Sequence, residues 1–321
     1  MKKNTTTMAI AALLIVAGAT ISSCKKDSKT TGTSTVTTDT NTSSAQDHQD
    51  AENNSNDVDQ MGAEGMDNGN INSNYKTTAS GSGLLTPMSG SANVTVVGKI
   101  MTLTFSNYVG LDGHKRTGTL VYDFSGSLAT ATHYRDSGIV ISVTTPNHDY
   151  YVDSNKVEVT KTITNKGRDV STHNLTWHVT TSLTITKANN GGTIQWSATR
   201  DNILLNTNAN FSYNGSNIQA SFSGYTTPIN WSTAVIGITG SATGTSADNV
   251  GFTANISSML VRNFNCSPSL LHTHFHPFVA GQIDFTPSGK TTRSINFGAG
   301  TCDESYKITI GSWSINITWI L

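Results

Sequence analysis

From about Ser80 onward the chain alternates apolar and polar residues with a period of two. Leu175, Trp177, Val179, Thr181, Leu183 and Ile185 fall on one face, and Thr176, His178, Thr180, Ser182, Thr184 and Thr186 on the other. Only an extended strand sends successive side chains to opposite sides, and one apolar face with one polar face describes a half-buried antiparallel strand. The pattern recurs in Leu120, Tyr122 and Phe124, in Ile139, Ile141 and Val143, in Val157, Val159 and Ile163, and in Trp313, Ile315, Ile317 and Trp319. Turn formers separate the runs: Asp112-Gly113, Asn189-Asn190-Gly191-Gly192, Asn214-Gly215 and Ser288-Gly289. Gly311-Ser312 divides two alternating runs by two residues, the spacing of a tight hairpin. After residue 80 no stretch shows the i, i+3, i+4, i+7 apolar spacing of a helix. The expectation is an all-β domain of roughly a dozen to fifteen antiparallel strands, built as a β-sandwich or as one elongated curled sheet.

Composition agrees with strands and turns. Charged residues make up 13% of the chain and the net charge is −1, so no dominant basic field exists to bind nucleic acid. Ser, Thr, Asn and Gly take the vacated share.

The first 79 residues have a different texture. Lys2 and Lys3 precede an apolar run from Met8 to Ala19, too short for the roughly 20 residues of a membrane-spanning helix but suited to a secretory signal. Ile21-Ser22-Ser23-Cys24 follows and resembles a bacterial lipobox. On this reading residues 1–23 are a lipoprotein signal peptide, and Cys24 becomes the lipidated first residue. An ordinary signal peptide with an incidental Cys is the plainer alternative. Several acyl chains on Cys24 give stable anchoring where one would be marginal.

Residues 25–79 hold four Lys and nine Asp or Glu, with Tyr75 as their only aromatic. So little apolar surface predicts a disordered tether from the lipidated Cys to residue 79, with the β domain at 80–321. Asp57-Val58-Asp59 and Gly62 faintly suggest the start of a calcium loop, but Met61 stands where an oxygen ligand belongs and Asn68 ends the loop.

Three segments carry a family resemblance. Leu111-Asp112-Gly113-His114-Lys115-Arg116-Thr117-Gly118-Thr119-Leu120 is one. Tyr150-Tyr151-Val152 followed by Lys161-Thr162-Ile163-Thr164-Asn165 is the second. Thr292-Arg293-Ser294-Ile295-Asn296-Phe297-Gly298-Ala299-Gly300-Thr301-Cys302-Asp303 is the third. Together they resemble the DGxxRxG and GxGxCD signatures of uncharacterised Bacteroidetes-type lipoproteins. The resemblance spans most of residues 95–320. It implies a lipid-anchored β domain and carries over no catalytic residue. Members of that group often have a Cys near the first signature, where this chain has none.

Three cysteines exist: Cys24, Cys266 and Cys302. With Cys24 lipidated, an even pair remains in an oxidising compartment. A hairpin turning at Ser288-Gly289 pairs Phe278–Phe285 with Thr291–Phe297 and leaves Cys266 and Cys302 beyond its open end, so a disulfide between them is expected, with two free buried thiols as the alternative. His272, His274 and His276 share one face if extended, as ligands of a metal would. Pro277 directly after them favours an edge or a loop. The other histidines are scattered.

No G-x-S-x-G, H-E-x-x-H, P-loop or dinucleotide fingerprint occurs. Asp123, Asp149, Asp153 and Glu158 are candidates for the facing carboxylates of a glycan-processing enzyme, although nothing in their spacing selects a pair. Tyr108, Tyr122, Tyr134, Tyr150 and Tyr151 suit either a sugar-stacking platform or core positions.

The sequence therefore points to an outer-membrane lipoprotein of the cell envelope, periplasmic or surface-facing, held by its N-terminal lipid. Its expected role is non-catalytic binding, adhesion or structure, with a glycan or an envelope protein as partner and no cofactor. A glycan-processing enzyme or accessory, or a metal-binding domain using the His272/His274/His276 cluster, is the alternative.

Overall fold

Alternation of the kind found after Ser80 forms ladders as soon as the turns bring neighbours together. In the computed structural model fourteen strands do so among the described residues. The structure describes residues 39–318, apart from 70–87, 206–233, 267–277 and the positions 111, 130, 132, 133, 135, 170, 172, 173, 264, 265 and 304. The strands are β1 (Ser89–Val97), β2 (Ile100–Val109), β3 (Lys115–Asp123), β4 (Val140–Thr144), β5 (Tyr151–Val152), β6 (Asn155–Arg168) and β7 (Leu175–Thr186). They continue as β8 (Thr193–Leu204), β9 (Val235–Thr245), β10 (Gly251–Asn263), β11 (Phe278–Pro287), β12 (Arg293–Ala299), β13 (Ser305–Ile310) and β14 (Trp313–Thr318).

All pairing is antiparallel and follows chain order in one meander, except that β4 and the short β5 do not pair with each other and each bridges β3 and β6. The domain is thus all-β in its sheet, and of the two arrangements expected it takes the single-sheet one.

The turns act as their residues dictate. Between β7 and β8, Asn189, Asn190 and Gly192 take positive φ of 56°, 60° and 88°, values that Asn and Gly tolerate best. At the β13–β14 hairpin Ile310 faces Trp313 across Gly311, whose φ is +58°. β11 and β12 meet around Ser288-Gly289 in the register Phe285 opposite Arg293 and Ile283 opposite Ile295.

Inward positions follow the parity read from the sequence. Leu175, Val179, Thr181, Leu183 and Ile185 of β7 are buried, whereas Thr180, Ser182 and Thr186 are exposed. Across β8, Ile194, Trp196, Ala198, Arg200, Asn202 and Leu204 are buried while Thr193, Gln195, Ser197, Thr199 and Asp201 face out. The outer surface is therefore Thr- and Ser-rich. The last strand departs from expectation. No residue of β14 is buried, and none of β1 is either. Both are edge strands, each with one ladder partner among the described residues. Trp313 and Ile317 only lean on the core, and Ile315 is 39% exposed.

The largest correction concerns the expected tether. Within it, Ser43–Gly69 forms a 27-residue helix, α1, about 40 Å long at 1.5 Å per residue. No residue from Thr42 to Met66 is exposed. One compact unit spans Thr38–Leu321 and holds α1 together with the sheet, so the folded body begins far upstream of Ser80. Met101 and Leu103 of β2 pack against Gly65. Thr181 of β7 and Trp196 of β8 meet Ser55 and His48. Arg293 of β12 reaches Asp39 and Asn41, just ahead of the helix. Strands from one end of the meander to the other thus touch one rod, and the sheet curls round it.

The calcium-loop suggestion falls with the tether, because Asp57, Asp59 and Gly62 lie inside α1 and both carboxylates bind cations of the sheet. The sequence predicts disorder there because α1 lacks an apolar stripe: Ala45, Ala51, Val58, Met61 and Met66 are too few to drive burial. What buries it is charge.

Candidate functional site: the helix seat

α1 contains seven carboxylates and neither Lys nor Arg. The sheet answers with cations set in the apolar phase of its strands. Arg116, Lys161, Arg200, Arg262 and Arg293 all point inward and are 0–8% exposed. Arg200 interrupts the buried series of β8, Lys161 that of β6 between Val159 and Ile163, and Arg293 opens that of β12. A charge at such a position costs several kcal/mol unless it is paired and hydrogen-bonded. α1 and the residues just ahead of it supply most of the partners.

Arg200 makes a bidentate bond to Glu52, Nε to Oε1 at 3.1 Å and Nη2 to Oε2 at 2.5 Å. Burial works against the Glu52 carboxylate, but the guanidinium outweighs it and holds the pKa below its ordinary value. Arg116 grips Asp57 through Nε and Nη2, and Asp112 through both Nη atoms at 3.1 and 2.5 Å. Its own pKa rises despite burial because two carboxylates surround it. Lys161 donates to Asp59 at 2.7 Å and to the Ser55 carbonyl at 2.6 Å. Here burial dominates, lowering the Lys161 pKa and raising that of Asp59. Arg262 donates to the Asn56 carbonyl at 3.4 Å, and burial lowers its pKa to about 10. Arg293 binds Asp39 at 2.7 Å and the Asn41 carbonyl at 3.1 and 3.2 Å. Lys187 closes the set with Asp47 at 2.5 Å and Asp50 at 3.1 Å.

Neutral contacts fix the rotation of the rod. Tyr122 donates its hydroxyl to the Val58 carbonyl at 2.6 Å, and its ring lies under Gly62 so closely that a Cβ there would stand 2.3 Å from Cε1. Trp196 Nε1 donates to His48 Nδ1 at 3.0 Å, so Nε2 carries the His48 proton. The His48 ring sits 5.6 Å from both Phe252 and Phe285, and burial lowers its pKa to about 4. It is a neutral core histidine at physiological pH.

Two cavities flank α1. One, of about 70 Å³, lies between Asn56 and Asp59 of the helix and Trp177, Asn202 and Arg262 of the sheet. Asn56 Nδ2 and Asn202 Oδ1 have no hydrogen-bond partner among the described residues. The other, of about 130 Å³, lies between Asp50, Asn53 and Asp57 on the helix and His114, Asp153 and Lys187 on the strands.

The residues singled out from the sequence are not assembled into one centre. Asp123 accepts from the backbone of Ser125, and Asp149 from that of Thr119. Asp153 binds His114 at 2.5 Å, and Glu158 binds His148 and Lys156. Tyr108, Tyr122 and Tyr150 are fully buried core residues. Cys266 and Cys302 form a disulfide with a Cα–Cα distance of 5.3 Å, closing a separation of 36 residues. His272, His274, His276 and Cys24 lie outside the described residues. Among the described residues no group of three or more His, Cys, Asp or Glu is arranged to hold a metal, and no helix is long and apolar enough to cross a membrane.

Sequence reasoning missed the seat itself. The signal was five cations standing at the apolar phase of strands, with a carboxylate-rich, cation-free stretch upstream to answer them. No family model, curated protein or solved structure matches this chain.

Proposed function

We propose that this chain is a cell-envelope lipoprotein, anchored through Cys24, whose β body serves non-catalytic binding, adhesion or envelope structure. The observation that carries the reading is the occupation of the curled sheet's interior. The face that would cradle a substrate holds α1, and its inward cations are engaged with carboxylates or carbonyls of α1 and of the segment just before it. What the body offers outward is a Thr- and Ser-rich sheet surface suited to hydrogen bonding with a glycan or an envelope protein.

The N-terminal pattern supports the anchor, with Lys2 and Lys3, the apolar run Met8–Ala19 and Cys24 in the order of a lipoprotein signal. Residues 25–38 separate Cys24 from Asp39, the first described residue to bind the sheet. Metabolic labelling with palmitate tests the anchor: the label enters the native chain and is lost in Cys24→Ala. Equal labelling of both, or none in either, would refute it. Incubating the protein with a polysaccharide panel tests the role, and bond cleavage would overturn it.

A further inference from the structure

We propose that the cavity of about 70 Å³ between α1 and strands β6–β9 is a subsite for the acetamido group of an N-acetylated amino sugar. This deepens the glycan-binding reading, on which it rests for the class of partner, and names the substituent recognised.

The register of the sheet builds one wall. Asn165 of β6, Trp177 of β7, Asn202 of β8 and Ile238 of β9 follow one another across the strands as direct partners. Such neighbours stand about 5 Å apart, so Asn202 lies between an aromatic ring and an aliphatic side chain. The opposite wall is α1, where Asn56, Gln60 and Ala63 recur at the i, i+4, i+7 spacing of one helix face.

The lining leaves two polar atoms unanswered. Asn56 is 7% exposed and Asn202 5%. Asn56 Nδ2 needs an acceptor and Asn202 Oδ1 a donor, and neither has one among the described residues. The neighbouring amides are engaged: Gln60 donates to Glu64 at 3.0 Å, and Asn165 donates to the Tyr134 carbonyl at 3.2 Å and accepts from the Gly167 N–H at 2.8 Å. A buried amide atom without a partner costs free energy, so it calls for a group from outside the chain to answer it.

The pair selects a chemistry. A carboxylate has no proton for Asn202 Oδ1, and an ammonium has no lone pair for Asn56 Nδ2. A hydroxyl answers both atoms but leaves the aliphatic wall of Ile163, Leu175, Ile236 and Ile238 without a partner. An acetamido group has a carbonyl for Asn56, an N–H for Asn202 and a methyl for that wall. A mostly apolar pocket with a few converging polar groups is the usual character of a small-molecule site. Size agrees: an engineered cavity of about 150 Å³ holds benzene, so about 70 Å³ takes a group of roughly three or four non-hydrogen atoms.

The approach is aromatic. Of the lining residues only Asp59, Ala63, Tyr134 and Trp177 are not buried, and Asp59 is held by Lys161. Tyr134 and Trp177 therefore border the access, and their rings suit the C–H face of a sugar. That favours a sugar over an acetylated lysine chain as the carrier of the acetamide.

Isothermal titration calorimetry of the full chain tests the subsite with N-acetylglucosamine and its β-1,4-linked trimer, against glucose, glucosamine and Nε-acetyl-lysine. The acetylated sugars should bind, and glucose and glucosamine at least roughly tenfold more weakly, because a site built to hydrogen-bond an amide rejects an analogue lacking it. Asn202→Leu, with its near-ultraviolet circular dichroism unchanged, should lose the preference; Asn56→Leu serves as the second variant. Equal binding of glucose and N-acetylglucosamine overturns the proposal. So does acetyl-lysine binding as tightly as the sugars, unchanged affinity in a folded Asn202→Leu, or no heat with any probe, the result expected if water alone fills the cavity. Cleavage of a bound trimer would support the subsite while overturning the non-catalytic role, so the two readings fail separately.

Discussion

Removing Glu52 should damage the fold far more than its place in an Asp- and Asn-rich stretch suggests. Glu52 is 1% exposed and meets Arg200, itself 5% exposed, through two parallel hydrogen bonds. In Glu52→Ala the guanidinium keeps only the Thr199 carbonyl at 3.2 Å and the Trp196 ring at 5.5 Å. Breaking a buried pair from one side leaves an uncompensated buried charge and costs about 3–5 kcal/mol. With a urea slope of about 3 kcal/mol per molar, the midpoint should fall by about 1–1.7 M. Glu52→Leu/Arg200→Met should recover most of the loss, since replacing both members by apolar groups is often neutral. The control is Lys166→Ala: the Lys166–Asp201 pair is about half exposed on each side, and such pairs contribute under about 1 kcal/mol. Equilibrium urea unfolding followed by tryptophan fluorescence reads all three. If Glu52→Ala shifts the midpoint no further than Lys166→Ala does, the seat is not held by charge and the reasoning fails.

Other outcomes follow from the same contacts. His48 has a folded pKa of about 4 against 6.5 for the free side chain, so the unfolded chain takes up this proton first as pH falls. Its contribution, about 3 kcal/mol, is in place above pH 6.5 and lost on acidification toward 4. His114 is shifted upward, so its contribution is complete below 6.5 and does not blur that window. Unfolding free energies of the native chain and His48→Asn, compared between pH 7 and 4, should converge at the acid end; parallel curves would count against a neutral buried His48. Gly62→Ala should raise the helicity of an isolated α1 peptide, Ala being favoured by about 1 kcal/mol, yet destabilise the protein through the Tyr122 ring; circular dichroism of the peptide and thermal melting of the protein would show opposite signs. Cys302→Ser should lower stability by about 4 kcal/mol by the loop-entropy model for a 36-residue separation, and an unchanged melting temperature would argue against that closure.

The strands were legible because each local preference agreed with the sheet. Asn and Gly stood where positive φ was needed, as at Asn189, Asn190 and Gly311, and period two marked inward faces from Leu120 to Phe285. α1 was illegible for a physical reason. Helix recognition looks for an apolar stripe, and α1 presents acids on a rod buried all round. Its burial depends on side chains more than a hundred residues away, such as Arg200 and Arg262, that no local window contains. β14 misled in the opposite direction. Trp313, Ile315 and Ile317 alternate like a core strand, but an edge strand with a single neighbour has little to cover them.

The claim on which the account rests is that residues 38–69 form part of the core and are not a leash. Calorimetric and near-ultraviolet circular dichroism melts of fragments 38–321 and 80–321 test it most directly. The account predicts one cooperative transition with fixed aromatic signals for 38–321, and neither for 80–321, in which Lys161, Arg200 and Arg293 lose the carboxylates that residues 38–69 supply and Arg116 keeps only Asp112. Equal midpoints and equal aromatic spectra for the two fragments would contradict it.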